Sequence, residues 1–168
     1  MSTAELKPIT PADFAPLAAL AEQIWRAHYT KIISLEQIEY MLAGRNTPER
    51  LGAYVGAADR GLDLLWLDGK RVGFCSWAWT ETPGEMKLEQ IYLLPRLHGR
   101  GFGGMMLRHI EARARALGAK TMMLTVNKRN DGSIAVYHHA GFRVREDAVF
   151  DIGGGYVMDD YVMEKVLG

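Results

Sequence analysis

The sequence predicts a single mixed α/β domain, and three observations carry that prediction. Apolar residues recur at helical spacing in the first part of the chain and again over residues 104–117. Elsewhere the pattern changes to short apolar runs bounded by glycine, proline and Asp-Gly, as in strands. The resulting order is helices, an antiparallel hairpin, then strand–helix–strand–helix–strand–strand. That order requires a mixed sheet with helices covering its faces. At 168 residues the chain suits one domain, 1–168, large enough to bury a core.

Each element has a local reason. ELKPI is a short strand. Thr10 caps the helix that follows, with Pro11 at its first position and Asp13 at its third. Phe14, Leu17, Leu20, Ala21 and Ile24 form its core-facing stripe. Ser34 starts a second helix that ends at Gly44, and TPERLGAYVGAA is a weaker third. LDLLWL and RVGFCSWAW form a hairpin about the turn DGK. MKLEQIYLLP is a strand stopped by Pro95. In the helix GGMMLRHIEARARALG, residues Met106, Leu107, Ile110, Ala114 and Leu117 make one apolar stripe. Glu111 and Arg115 pair at i,i+4 there, and Gly118 closes the helix. KTMMLTV is a strand, DGSIAVYHHA a short helix ending at Gly141, and FRVREDAVFDI and YVMDDYVMEKV are the last two strands.

Composition removes several function classes. Hydrophobic residues make up 48% and charged residues 24%, with 20 basic and 20 acidic side chains and no formal net charge. That balance argues against a broad surface for nucleic acid or anionic membrane. The single cysteine, Cys75, lies in an apolar run and reads as a small buried hydrophobe. No segment approaches the roughly 20 apolar residues of a spanning helix, and the first residues lack the pattern of a secretion signal. The expected location is the cytoplasm. No His, Cys or Asp cluster has metal-binding spacing, so no metal is expected.

LHGRGFGG, residues 97–104, carries four glycines in eight positions. It lies between a strand and a helix, where unpartnered N–H groups and the positive end of the helix dipole favour an anion. Arg100, and Arg96 beside it, would add charged hydrogen bonds. The segment alone fits equally a glycine-rich connecting loop. It is neither a Walker loop nor a dinucleotide fingerprint.

IYLLPRLHGRGFGGMML resembles motif A of the GNAT superfamily of N-acetyltransferases, with its pattern Gln/Arg-x-x-Gly-x-Gly/Ala. NDGSIAVYHHAGF is similar to the family's downstream Asn-x-x-Ala/Ser-Ile-x-x-Tyr-x-x-x-Gly-Phe segment. The resemblance covers about residues 4–166 and is sharpest over 88–142. DIGGGYVMDDYVMEK is similar, more softly, to bacterial polyamine-acetyltransferase-like members. His98 departs from the pattern at its first position, which puts a side-chain phosphate contact there in doubt.

The resemblance implies the GNAT fold, a mostly antiparallel mixed sheet of about six to seven strands flanked by helices. It implies acetyl-CoA as co-substrate, held by Ile91, Tyr92, Leu93, His98, Gly99, Arg100, Gly101, Phe102, Gly103, Gly104, Asn130 and Tyr137. The diphosphate would lie on Gly99–Gly104 and the pantetheine arm beside the strand at Ile91–Leu93. Tyr137 would protonate the departing thiolate; on periodicity alone it is a core residue with Ile134 and Ala140. Glu89 is the candidate base, or else an ordinary strand carboxylate, and by the two-residue period it shares a face with Lys87, Ile91 and Leu93. Asn130 suits a helix N-cap and a place near the cofactor. His138 and His139 read as solvent-facing or packing residues. Lys128 and Arg129 are candidates for the 3′-phosphate, with a solvated turn as the alternative. Trp25, His28, Tyr29 and Tyr40, with Glu36, Glu39, Glu81 and Glu85, could make an acidic aromatic acceptor wall, or be plain amphipathic helices.

The expected activity is acetyl transfer to the primary amine of a small molecule, with polyamines among the candidates. The alternatives are a protein or peptide N-terminal or lysine acetyltransferase, or a non-catalytic acyl-CoA sensor. Neither a nucleic-acid nor a membrane partner is expected. The last two strands could pair across a two-fold axis in a homodimer.

Overall fold

The computed structural model describes residues 3–168. Strand β1 (Ala4–Pro8) leads through a short 3-10 turn, Pro11–Asp13, into helix α1 (Phe14–His28). The turn is closed by Asp13, whose carboxylate accepts from the Thr10 N–H and hydroxyl at 2.9 and 3.0 Å. It also accepts from Arg71, at 2.8 and 2.9 Å, which ties the helix entry to the sheet. Helix α2 (Leu35–Leu42) is capped by Ser34. Helix α3 (Pro48–Gly52), capped by Thr47, is shorter than its sequence suggests. Gly52 and Gly56 dilute its helix propensity, and only Leu51 is buried.

The hairpin β2 (Arg60–Leu67) and β3 (Lys70–Trp79) turns at Asp68 and Gly69, with φ of 51° and 79°. Two successive left-handed residues match the twist of the flanking strands. Strand β4 (Glu85–Leu93) pairs antiparallel with β3. After it come helix α4 (Phe102–Ala116), β5 (Thr121–Asn127), helix α5 (Asp131–His139), β6 (Arg143–Gly153) and β7 (Tyr156–Val166). The seven strands form one sheet in the order β1-β2-β3-β4-β5-β7-β6. Among these neighbours only β4 and β5 are parallel. Among the described residues no helix is long and apolar enough to cross a membrane.

The core joins Leu17, Ala21 and Ile24 of α1, Leu64, Phe74 and Met86 of the sheet, and Met106 and Ile110 of α4. Leu117 leaves the expected α4 stripe and is 42% exposed, because the helix ends at Ala116. Glu111 does pair with Arg115, at 3.5 Å, but Lys165 holds it more closely, at 3.0 and 3.2 Å. The same ammonium donates to the Ala140 carbonyl at 2.7 Å, so one side chain joins α4, β7 and the end of α5. Cys75 is fully buried, and burial pushes its thiol well above the usual range.

Two irregularities in the sheet shape the space around β4. The first is a bulge in β4: Gln90 opposes Ser76 and Leu88 opposes Trp77, so Glu89 has no partner. A bulge turns the strand and re-aims its side chains. It also shifts the alternation, which places Ile91 and Leu93 on the face of Leu88 rather than that of Lys87, against the plain two-residue period. The second is the parallel pair itself. β4 and β5 pair only from Glu85–Lys87 to Thr121–Met123, and then separate.

Candidate active site

Beyond Lys87 the separated strands leave a cleft of about 690 Å³. Ile91, Tyr92 and Leu93 form one wall, Thr125, Val126 and Asn127 the other. The β4 edge facing the gap has lost its partner strand, so its backbone groups, apart from the Leu93 carbonyl that His98 holds, are open to an extended ligand.

The cleft ends on Gly99, Gly101, Gly103 and Gly104, all of which line it. Gly99 and Gly101 have φ of 78° and 87°, which a side chain would strain. Gly103 has an ordinary φ, and a Cβ built on it would meet nothing within 4 Å. Packing therefore does not demand a glycine there, and the open space leaves room for a ligand against the backbone. The first helical donor that closes onto this stretch is Met105, whose N–H reaches the Gly101 carbonyl at 3.0 Å. Among the described residues the N–H groups of residues 99–104 reach no acceptor. They are the free donors expected at a helix start and suit an oxyanion.

Around this cradle the expected side chains divide. His98 lines the cleft, and its Nε2 lies 3.1 Å from the Leu93 carbonyl. A carbonyl only accepts, so that nitrogen carries the proton and a neutral imidazole has no N–H left for a phosphate. Arg100 and Phe102 do not line the cleft, and the Arg100 guanidinium sits 5.5 Å from the Phe102 ring. Lys128 is committed to Asp159 and Asp147, at 3.0 and 3.2 Å, which leaves it no free charge for a 3′-phosphate. Arg129 pairs with no carboxylate among the described residues, and its N–H donates to the Asn127 side chain at 2.9 Å. Asn130 is buried and lines the cleft. Its Oδ1 caps α5 through the Ser133 N–H at 3.4 Å and lies 3.3 Å from His28 Nε2. Burial holds His28 below its ordinary pKa, despite the hydrogen bond to Asn130. His138 and His139 are exposed, and His138 Nδ1 lies 3.1 Å from the Phe142 carbonyl.

Tyr137 projects from α5 into the same cleft, its ring 5.9 Å from that of Phe142. Its hydroxyl has no hydrogen-bond partner among the described residues. Burial, with Tyr92 nearby, pushes its pKa well above the usual value, so the phenol keeps its proton across physiological pH. Trp25, stacked on Tyr29 at 4.3 Å and 6.0 Å from Tyr92, closes the cleft from α1.

Two carboxylates face the cleft. Glu89, on the bulge, accepts from the Tyr54 hydroxyl at 2.7 Å. Asp160, on β7, is a site residue that no motif in the sequence points to. It is only 5% exposed, its Oδ1 has no partner, and it lines the cleft together with Lys87. Burial, with Asp159 adding to it and Lys87 offsetting part, raises it to about 6. An acceptor-only oxygen buried without a donor is suited to receive one from a ligand.

The expected acidic acceptor wall does not assemble from its glutamates. Glu39 is paired with Arg26, Glu85 with Arg145 at 3.0 Å, and none of Glu36, Glu39, Glu81 or Glu85 lines the cleft. The aromatics Trp25, His28 and Tyr29 do line it. Tyr40 lies in an adjoining cavity, where its hydroxyl donates to the Ile152 carbonyl at 2.9 Å.

The acetyltransferase (GNAT) family profile matches residues 19–142. A spermidine N(1)-acetyltransferase of Thermoplasma acidophilum is 26% identical over 165 residues, covering 96% of both chains. An uncharacterized N-acetyltransferase of Mycobacterium tuberculosis is 26% identical over 159 residues, covering 95% of this chain and 99% of its own. The crystal structure of the PaiA N-acetyltransferase of Thermoplasma acidophilum, in complex with coenzyme A, superposes with a TM-score of 0.83 at 22% identity. That alignment covers 98% of this chain and 99% of the other.

Proposed function

The chain belongs to the GNAT family of acetyltransferases, and on that basis we propose that it carries acetyl from acetyl-CoA to the primary amine of a small molecule, by direct attack in a ternary complex. One observation carries this reading. The gap between β4 and β5 runs from an unpaired strand edge at Ile91–Leu93 to the free N–H groups of residues 99–104, with the Tyr137 hydroxyl facing the same space.

In the reaction the amine nitrogen bonds to the thioester carbonyl carbon, the carbon–sulfur bond breaks, and the sulfur leaves needing a proton. Tyr137 supplies that proton, or the hydrogen bond that stabilises the leaving sulfur, from a phenol that enters the cycle fully protonated. Its raised pKa makes complete transfer uphill, so replacement of its proton from the amine side accompanies donation. Glu89 takes the proton that the attacking amine sheds, and the Tyr54 hydroxyl fixes its orientation. Asp160 offers its free oxygen to the amine's remaining N–H. Asn130 and His28 hold the α5 entry against α1, which sets the position of Tyr137.

The spermidine N(1)-acetyltransferase relative supports an amine as the acceptor. The test is release of CoA, followed with a thiol reagent, over spermidine, short diamines, amino acids and an N-terminal peptide. Turnover with a small amine is expected. Turnover with the peptide alone would replace the reading by a protein acetyltransferase. Tight acetyl-CoA binding without turnover on any acceptor would replace it by a sensor.

A further inference from the structure

Beside the catalytic cleft lies a cavity of about 1000 Å³, between α2, α3 and the start of β2. It opens into the cleft through Met41, Arg45, Gln90 and Ile152, which line both. Its charged lining is Arg45, Arg50, Arg60 and a single acid, Glu49. Arg60 forks onto its neighbour Asp59, at 3.2 and 3.3 Å. Arg45 and Arg50 meet no carboxylate within ion-pair distance among the described residues. Arg45 instead lies 4.7 Å over the ring of Trp25, a residue only 2% exposed, so a rigid platform holds the guanidinium in place. Two unpaired guanidinium groups lining one cavity leave forked donors without an oxyanion to bind. Inside the adjoining cleft, Asp160 and Glu89 supply the negative charge that suits an ammonium or amine, Glu89 being held by Tyr54 from the wall of this cavity.

We propose that this cavity is an anion subsite for the acceptor: Arg45 and Arg50 bind a carboxylate or phosphate of a molecule whose amine faces Asp160 and Glu89. The inference rests on the acetyltransferase reading and narrows its substrate to amines that carry an oxyanion. A polycation would meet guanidinium charge along the entrance with one glutamate to offset it, which disfavours spermidine here.

Two measurements test it. In the first, CoA release is compared for pairs differing only in the anion: ω-amino acids against their amides, and ethanolamine phosphate against ethanolamine. The anionic member of a pair is expected to show roughly tenfold higher kcat/KM, and Arg50→Gln or Arg45→Gln to draw that ratio toward one. The two pairs distinguish a carboxylate from a phosphate. Equal rates within both pairs, or spermidine preferred to all of them, overturn the subsite. The second measurement does not depend on turnover. Inorganic phosphate is titrated into the protein while the arginine Nε–H signals are followed by NMR, assigned with the same two variants. Saturable movement of the Arg45 and Arg50 signals, with the exposed Arg113 signal still, supports the subsite. Movement of neither, or of all three alike, overturns it. Loss of turnover on every amine would refute the acetyltransferase reading, while the titration still decides the subsite.

Discussion

Asp160 and Asp159 stand side by side on β7 and have opposite surroundings. Asp159 is exposed and holds Lys128 at 3.0 Å, whereas Asp160 is buried with a free oxygen. The folded value of Asp160, about 6 against an ordinary 3.8, means that the native protein keeps a proton the unfolded chain releases. Stability therefore falls as pH rises through that window and stays lower above it. Asp160→Asn removes this cost, so at pH 8 its melting temperature should rise by roughly 2–4 °C, the equivalent of about 1 kcal/mol in a domain of this size, with little change at pH 4. The wild-type rate should also climb through an apparent pKa near 6 as the carboxylate forms, and the Asn variant should lose that limb. A flat acid limb in the wild type would remove Asp160 from the acceptor site. The pair DD in YVMDDYVMEKV marks two successive strand positions, which must point to opposite faces. Nothing local says which face meets the cleft, because that depends on β7 packing against β5. Tyr137 was singled out by its motif position and Glu89 by its place along the strand, and both line the cleft.

At the scale of elements, the order of strand, glycine segment and α4 was readable, although Leu117 falls outside the helix and Arg100 and Phe102 do not line the cleft. Strand, proline, glycine and helix are each set by local backbone preference. What chain order could not give was the reason for each glycine. Gly99 and Gly101 answer to their φ, while Gly103 answers to empty space. Gly103→Ala separates the two: alanine is the better helix former by roughly 0.8–1 kcal/mol, so the melting temperature should hold or rise. The acetyl-CoA dissociation constant should rise about tenfold or more, because the new methyl occupies the ligand's space. Unchanged affinity would move the diphosphate off this turn. The bulge at Glu89 was not legible, since alternation in KLEQIYLL reads as regular until the register with β3 is known. The acidic wall failed in part for a related reason: Glu39 and Glu85 found the distant arginine partners Arg26 and Arg145, and Glu36 and Glu81 do not line the cleft.

Taken whole, the sheet is two antiparallel blocks, β1–β4 and β5–β7–β6, joined by only three residue pairs between β4 and β5. Strand twist accumulates across that short parallel seam, and the blocks diverge past it. The order strand–helix–strand predicts that β4 and β5 are parallel neighbours, since such a crossover returns beside its starting strand. It does not predict where their pairing stops, and the cleft opens at the place where it stops. The fold thus supplies an open strand edge, a helix start and a tyrosine around one space. The most direct test of that arrangement is Tyr137→Phe, measured by acetyl-CoA binding and by CoA release on the same preparation. The expected result is a dissociation constant within about twofold of wild type and a kcat lower by about a hundredfold or more, the usual range for a lost general acid. A kcat equal to wild type, with binding intact, would contradict the role assigned to Tyr137.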